Sequence, residues 1–163
     1  MKKKYFLTFG GVDKLSIHNQ YHDAVKRLTK QAEELKIFDY IYPKTEIDLK
    51  NDKIFWEKHK DFVINSSKGY GYWLWKPYLI MKTMEEMEDN DILLYADAGC
   101  IIQDSHKNEL IRLFEKVEND LIIASLTSNE SSYSKMDLIK YLDIKNNKLL
   151  RVNQIQASAI IFK

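Results

Sequence analysis

The sequence contains few of the residues that define several common classes of protein. Its 163 residues include one cysteine, two prolines and five glycines. A single cysteine allows no internal disulfide, which excludes a disulfide-stabilised scaffold and fits a reducing compartment. The formal net charge is only +1, from 25 basic and 24 acidic residues, so the chain lacks the basic surface expected of a nucleic-acid-binding protein.

Long apolar runs are also missing. The run that follows the basic N-terminus, 5–9, ends at Gly10-Gly11 and is too short for the apolar region of a signal peptide. No segment approaches the length of a membrane span. We therefore expect a cytoplasmic protein, and the length favours a single domain over residues 1–163. An apolar content of 45% argues against general disorder.

The most informative residues lie between Gly69 and Cys100. The first half of this stretch, Gly-Tyr-Gly-Tyr-Trp-Leu-Trp-Lys-Pro at 69–77, gathers four aromatic rings, two glycines and a Lys-Pro pair. We predict that Pro77 is the first helical residue, because its missing N–H has no intrahelical partner there. Lys76 is expected to be extended, with its ammonium at the start of the helix, where anions also gather.

The second half ends in a short apolar strand with a carboxylate at its tip. Residues 92–96 are apolar and bounded by polar residues, which predicts a strand buried on both faces. Asp97 follows, with Ala98 and Gly99 directly after it. In open α/β sheets, ligands bind beyond the carboxyl ends of strands, and small neighbours let a ligand approach the backbone. Cys100 is expected to be a small buried residue, since no base activates it as a nucleophile.

The first part of the chain alternates apolar strands with an amphipathic helix. Residues 5–9 predict a central first strand, and Gly10-Gly11 permits a tight turn after it. Ser16 is the expected N-cap of a helix with the apolar stripe Ile17, Tyr21, Ala24, Leu28, Ala32 and Leu35. A second strand is predicted over 38–42, ended by Pro43. This order predicts a parallel strand pair with a right-handed crossover.

The alternation continues in the rest of the chain. The further predicted elements are a helix capped by Asp48 or Asn51, an amphipathic helix over 107–119, a buried strand over 121–126, a polar loop over 127–133, a short helix opened by a capping box at Ser134 and Asp137, a turn at Asn146-Asn147 and a last strand over 157–162.

Two motifs together resemble a known family. A strand closing in Leu-Tyr-x-Asp-Ala-x, after a helix that starts behind a basic residue, resembles the metal-binding region of GT-A-fold glycosyltransferases. The glycogenin-like and bacterial galactosyltransferase group has Asp-Ala-Asp at this point. Gly-Tyr-Gly-Tyr-Trp-x-Trp-Lys-Pro combined with Asp-Ala-Gly resembles a bacterial and giant-virus set of glycosyltransferases, from Thr-Phe-Gly-Gly at 8–11 to Gln-x-x-Ala-Ser at 154–158.

The resemblance implies a fold and an activity. The implied fold is α/β, a Rossmann-like GT-A fold with a mostly parallel central sheet flanked by helices. The implied reaction moves a sugar from a nucleoside diphosphate sugar, a UDP-sugar first of all, to a hydroxyl of a glycan, lipid-linked sugar or protein, as in polysaccharide biosynthesis. Such a transfer needs the charge of the leaving diphosphate to be neutralised and an acceptor hydroxyl to be held in line.

The resemblance also implies roles for particular residues. Asp97 and Lys76 would be catalytic, and Asp97 would be a ligand of Mn²⁺ or Mg²⁺. The implied nucleotide-sugar-binding residues are Thr8, Phe9, Gly10, Gly11, Arg27, Tyr72, Trp73, Trp75, Lys76, Ala96, Asp97, Ala98 and Gly99. The residues implied on the acceptor or sugar side are Gln156, Ala157 and Ser158.

The chain departs from the better-known group at two points. Gly99 stands where that group has its second acid, so a second carboxylate must come from elsewhere, such as Asp104, or phosphate and water must hold most of the metal. The resembled transferases also continue past the last strand with elements that shape the acceptor side, including a late metal-binding histidine in the glycogenin-like group. We therefore expect either a truncated domain or a shorter natural form.

Three functional hypotheses follow. The first is a GT-A-type glycosyltransferase. The second is a sugar- or nucleotide-binding module without catalysis, which the glycine at position 99 favours. The third is an α/β domain of unrelated function in which the aromatic residues only pack. Turnover of a nucleotide sugar separates the first from the second, and ligand binding separates the second from the third.

Overall fold

A five-stranded mixed sheet with helices packed against it forms the framework of the chain. The strands are β1 (Lys4–Gly10), β2 (Tyr40–Thr45), β3 (Ile92–Ala96), β4 (Ile122–Asn129) and β5 (Asn153–Phe162), in the order β2-β1-β3-β5-β4. The computed structural model describes residues 2–12, 20–117, 121–146 and 148–163.

Only half of the strand pairings are parallel. β1 runs parallel to both β2 and β3, whereas β5 runs antiparallel to both β3 and β4. The α/β class and the parallel first pair are confirmed, but the sheet is mixed rather than mostly parallel. The central position belongs to β3, with β1 beside it.

The helices connect the strands and cover the sheet. They are α1 (Gln20–Leu35), α2 (Glu46–Asn51), α3 (Lys53–Asn65), α4 (Gly69–Tyr72), α5 (Trp75–Met84), α6 (Lys107–Lys116), α7 (Glu130–Tyr133) and α8 (Met136–Tyr141), with 3₁₀ turns at Asp104–His106 and Leu149–Arg151. No helix in the described part of the chain has both the length and the apolar character that crossing a bilayer requires.

Two apolar clusters lie on opposite faces of the sheet. On one face, alternate residues of β1 and β3 pack against α2, α3 and α5, in a cluster of Tyr5, Leu7, Phe9, Leu49, Phe55, Val63, Trp75, Leu79, Ile80, Leu93 and Tyr95. On the other face the cluster is Phe6, Leu28, Ala32, Ile92, Leu94, Ala96, Phe114, Val117 and Ile161. Because all five residues of β3 are buried, the prediction of a strand covered on both faces is confirmed.

Several predicted boundaries are wrong, for two physical reasons. Pro43 lies inside β2 rather than ending it, because β2 is an edge strand and a proline that lacks an N–H is tolerated there. β4 is also an edge strand, so Leu126 is exposed instead of buried. β4 continues to Asn129, and α7 occupies the end of the segment predicted as a polar loop.

The predicted caps also need correction. α3 is capped by Asp52, whose carboxylate accepts a hydrogen bond from the Phe55 N–H at 3.2 Å, whereas Asp48 belongs to the capping box of α2. Ser134 is not the N-cap of α8, which is Lys135; it ends α7 instead, and its hydroxyl donates to the Glu130 carboxylate at 2.7 Å. The predictions for Ser16, Ile17, Asn119 and Asn147 lie outside the described residues.

Asp52 also joins α3 to α5. Its second carboxylate oxygen accepts a hydrogen bond from the Tyr78 hydroxyl at 2.6 Å and is paired with the Lys82 ammonium. Burial acts to raise the pKa of Asp52, but the hydrogen bonds from Lys82, Tyr78 and the Phe55 N–H outweigh it and lower that pKa to about 2. The charged form is therefore the one that the fold stabilises.

We predict that Asp52→Asn lowers the free energy of unfolding by about 1–2 kcal/mol at pH 7, because asparagine keeps the helix cap but loses the charge that binds Lys82. A depressed folded pKa gives stabilisation that is complete above the unfolded value and disappears as the pH falls through about 2. The difference should therefore shrink between pH 4 and pH 2, measured by urea unfolding. Asp61→Asn, an exposed change on the same helix, is the control, and a difference independent of pH would contradict the prediction.

Candidate functional site

A cavity of about 330 Å³ opens beyond the carboxyl ends of β1 and β3. β1, β2 and β3 run in one direction, so their carboxyl ends meet at the same edge of the sheet. The lining residues are Phe9, Gly10, Gly11, Tyr21, Lys68, Gly69, Tyr70, Trp73, Trp75, Asp97, Ala98 and Gly99. The structure thus brings together the glycine turn, the aromatic motif and the acidic strand end, three segments far apart in sequence.

Backbone pairing holds Asp97 at this edge. Its N–H donates to the Ser158 carbonyl at 2.8 Å, and its own carbonyl accepts from the Cys100 N–H at 2.8 Å. Its Oδ1 atom lies 2.8 Å from the Lys76 ammonium and accepts a hydrogen bond from the Tyr95 hydroxyl. Burial raises the pKa of Tyr95, so its hydroxyl stays a donor. The carboxylate is about one third exposed, and it combines a fixed position with access to the cavity.

Lys76 is the partner that joins Asp97 to the last strand. Its ammonium donates to the Ala157 carbonyl at 2.8 Å and lies 5.1 Å from the centre of the Tyr95 ring. Its side chain is only 14% exposed. The predicted acceptor-side segment is therefore brought to the acidic strand end through the backbone carbonyls of Ala157 and Ser158, while Gln156 is exposed on the same strand.

The start of α5 differs from the prediction. Lys76 is helical rather than extended, and Pro77 is the third helical residue rather than the first. The N–H groups of the first helical turn have no intrahelical partners, so proline is tolerated throughout that turn. The Lys76 N–H instead donates to the Trp73 carbonyl at 3.0 Å.

The first part of the aromatic motif, which includes α4, is a left-handed turn rather than a regular α-helix. Five consecutive residues have positive φ angles, namely Gly69, Tyr70, Gly71, Tyr72 and Trp73, at 63°, 46°, 88°, 49° and 59°. Such angles are unfavourable for residues other than glycine and are concentrated at functional sites in proteins. The turn is held by the Trp73 N–H, which donates to the Gly69 carbonyl at 2.9 Å. The segment is therefore not extended between Gly69 and Trp73.

The turn gives the aromatic residues different roles. Trp75 is 5% exposed, stacks on Phe9 with ring centres 3.9 Å apart, and donates its indole N–H to the Gly69 carbonyl at 3.1 Å. Trp73 is 48% exposed and lines the cavity. Tyr72 points elsewhere, with its hydroxyl 2.9 Å from the Ser67 hydroxyl. Trp73 is consequently the ring best placed to stack on a ligand.

Five residues implied by the resemblance for nucleotide-sugar binding are not among the lining residues, namely Thr8, Arg27, Tyr72, Lys76 and Ala96. Thr8 is completely buried in β1. Ala96 contributes to a second, apolar hollow of about 410 Å³ on the opposite face, between α6 and β5. Arg27 is neither solvated nor in the cavity, because its guanidinium donates to the Ala98 carbonyl at 2.8 Å and the Cys100 carbonyl at 2.9 Å. Arg27 therefore positions the loop that carries Asp97.

Sequence reasoning missed an acidic residue at the end of β2. Glu46 is 8% exposed, and its carboxylate lies 2.7 Å from His22 Nε2 and accepts from the Val12 N–H at 3.3 Å. Burial acts to raise the pKa of Glu46, but these hydrogen bonds outweigh the effect of burial, so the pKa is lowered. The rule that singles out Asp97, a carboxylate just past a strand end, also fits Glu46, but the strand was predicted to end too early.

Two further predictions concern a cation. Within the described ranges, no three histidine, cysteine, aspartate or glutamate side chains are close enough to hold a metal ion together. Asp104 lies in an exposed 3₁₀ turn, and a Cβ atom at Gly99 would meet nothing within 4 Å. The donor set at Asp97 is thus one carboxylate that already binds an ammonium, which fits a divalent ion poorly, and Mn²⁺ or Mg²⁺ stays a prediction.

Comparison of this chain with protein-family models, with curated proteins and with solved structures gave no match. The motifs and the geometry of the site are therefore what indicate a function for this chain.

We predict that Trp75→Ala and Trp73→Ala differ sharply in stability. Trp75→Ala should lower the free energy of unfolding by about 3–5 kcal/mol, because it empties a buried site against Phe9. Trp73→Ala should cost less than about 1 kcal/mol, because half of the ring is exposed. Urea unfolding of both variants measures this, and equal losses would show that both rings only pack.

Proposed function

We propose that this chain is a glycosyltransferase that moves a sugar from a nucleoside diphosphate sugar to an acceptor hydroxyl. The observation that carries the proposal is the cavity at the carboxyl edge of the sheet, whose wall includes an aromatic ring, two backbone turns and Asp97, with Lys76 paired to Asp97 behind that wall. Its volume of about 330 Å³ falls within the range of small-molecule sites.

The walls of the cavity suit a sugar nucleotide. Trp73 offers a ring face against which the apolar side of a sugar or a base can stack. On the opposite side, Ala98 and Gly99 present backbone rather than bulky side chains, so polar groups of a ligand can approach the N–H and C=O groups closely.

The charged pair suits the transfer step. Negative charge grows on the diphosphate as the bond to the sugar breaks, and a preorganised positive group stabilises it. Lys76 supplies an ammonium whose position is fixed by Asp97 and by the Ala157 carbonyl. Asp97 keeps a second carboxylate oxygen for the hydroxyls of the sugar, and the exposed strand segment at Gln156 borders the side from which an acceptor would approach.

The nature of the substrates is part of the proposal. A UDP-sugar is the proposed donor and a hydroxyl of a glycan, lipid-linked sugar or protein the proposed acceptor, in polysaccharide biosynthesis in the cytoplasm. These choices follow the motif resemblance at Gly69–Pro77 and Asp97–Gly99, together with the single cysteine and the absence of a long apolar run in the sequence.

A nucleotide- or sugar-binding module without catalysis is the second candidate. The specific observation in its favour is Gly99, which leaves Asp97 without a neighbouring second acid. Such a module would bind the donor through the same cavity and release it unchanged. Hydrolysis or transfer of a radiolabelled sugar from its UDP carrier, with a mixture of sugar acceptors, separates the two.

We predict that UDP raises the melting temperature of the protein and that Asp97→Asn weakens UDP-sugar turnover by about 10²-fold or more. UDP at 100 times its Kd should add about 2.7 kcal/mol of stability. Asparagine keeps the size of the side chain but removes the charge that orients Lys76. Asp61→Asn, an exposed change on α3 outside the cavity lining, is the control for turnover.

The melting temperature should be measured with uridine, guanosine and adenosine diphosphates, each with EDTA and with added Mn²⁺ or Mg²⁺. If none of these shifts the melting transition in any condition, the site binds no nucleoside diphosphate and the proposal is wrong. Unchanged turnover in Asp97→Asn would show that Asp97 has no role in the reaction.

A further inference from the structure

We propose that the diphosphate is held by two lysine ammonium groups, Lys76 and Lys68, so that donor binding here requires no divalent metal. This inference rests on the proposed function and specifies how its site neutralises charge. Lys68 is a new site residue, which the sequence motifs do not single out.

Lys76 already occupies the position next to the carboxylate. Its ammonium lies 2.8 Å from Asp97 Oδ1, and the Tyr95 hydroxyl donates to the same oxygen. A divalent ion on either oxygen of this carboxylate would have to displace the ammonium or lie close to it, and two cations so close repel each other. Displacement is costly, since the Lys76 side chain is 14% exposed and packs near the Tyr95 and Trp75 rings, 5.1 and 5.8 Å from their centres.

The ammonium of Lys76 retains capacity for a ligand. A lysine ammonium has three N–H donors. Among the described residues, two oxygen atoms accept from it, Asp97 Oδ1 and the Ala157 carbonyl oxygen. The third donor has no oxygen acceptor among these residues, so a phosphate oxygen bound beside Asp97 can accept it, and the two protein contacts fix the ammonium in place before the ligand arrives.

Lys68 supplies the second positive charge. It lines the same cavity as Asp97, and its ammonium lies 5.8 Å from the centre of the Trp73 ring. Two lysines and one aspartate carry a net charge of +1, and so do one divalent ion and one aspartate. Lys68 and Asp97 in the cavity wall, together with Lys76 paired to Asp97, thus carry the charge of a metal-loaded site with a single acid, without the metal.

The decisive experiment is titration calorimetry of the full chain with UDP, once with EDTA and once with Mn²⁺ or Mg²⁺. We expect Kd values within about threefold of each other. Lys68→Met and Lys76→Met should each weaken binding by about 10-fold or more, the effect of losing one charge-assisted hydrogen bond. Lys82→Met is the matched control, because Lys82 lies on the same helix and pairs with Asp52, away from the cavity. Its Kd should not change.

Two features keep the test decisive. Lys68 is exposed, so Lys68→Met should fold normally even if Lys76→Met, which leaves Asp97 unpaired, does not. Gly99→Asp adds a second carboxylate where a Cβ atom meets nothing within 4 Å, and it should weaken UDP binding in EDTA and restore it with Mn²⁺.

The outcomes separate this inference from the proposed function. Binding only in the presence of metal, or unchanged binding by both lysine variants, overturns the inference but leaves a nucleotide-sugar enzyme in place. Absence of UDP binding in every condition overturns both. Equal binding with and without metal, lost on lysine substitution, supports both.

Discussion

Burial of β3 on both faces is the constraint on which the fold and the candidate site depend. β3 pairs in parallel with β1 on one side and antiparallel with β5 on the other. Because Ala96 lies opposite Ala159 in this register, the Asp97 N–H meets the Ser158 carbonyl as the chain leaves the sheet. Burial of the apolar strand thus supplies the stability. The backbone pairing beyond its end fixes the position of Asp97, whose charged side chain adds no apolar burial.

The fold could be predicted wherever local pattern decides it. Residues 92–96 form a strand with the predicted bounds, because polar residues flank a short apolar run. The wrong predictions of strand bounds and burial arise where the order of the strands in the sheet determines them. Pro43 fits inside β2, and Leu126 is exposed on β4, because each strand has a neighbour on one side only. Which apolar run lies at an edge depends on the pairing of distant segments, and a single sequence does not report that pairing.

The candidate site likewise has one part that the local sequence predicts and one part that it does not. Asp97 was accessible to prediction because a carboxylate after an apolar run is a local signal. The left-handed turn at 69–73 was not, since three of its five residues are aromatic and locally disfavour positive φ. Packing against residues distant in the sequence overrides the local preference for negative φ. The Trp75 ring stacks on Phe9, and a side chain at Gly71 would lie 2.9 Å from Val63, so the turn is compressed against β1 and α3.

The glycines around the cavity show which features packing explains and which it does not. At Gly10 a Cβ atom would lie 2.5 Å from the Tyr21 carbonyl oxygen, and at Gly11 it would lie 2.9 Å from the Phe9 ring. Both glycines are therefore needed for α1 and the aromatic residues to approach β1. At Gly99 a Cβ atom would meet nothing within 4 Å, so the fold places no such demand there. Packing therefore explains Gly10 and Gly11 but not Gly99, because at position 99 the glycine leaves the backbone of the cavity wall open beside a carboxylate that backbone pairing holds in place.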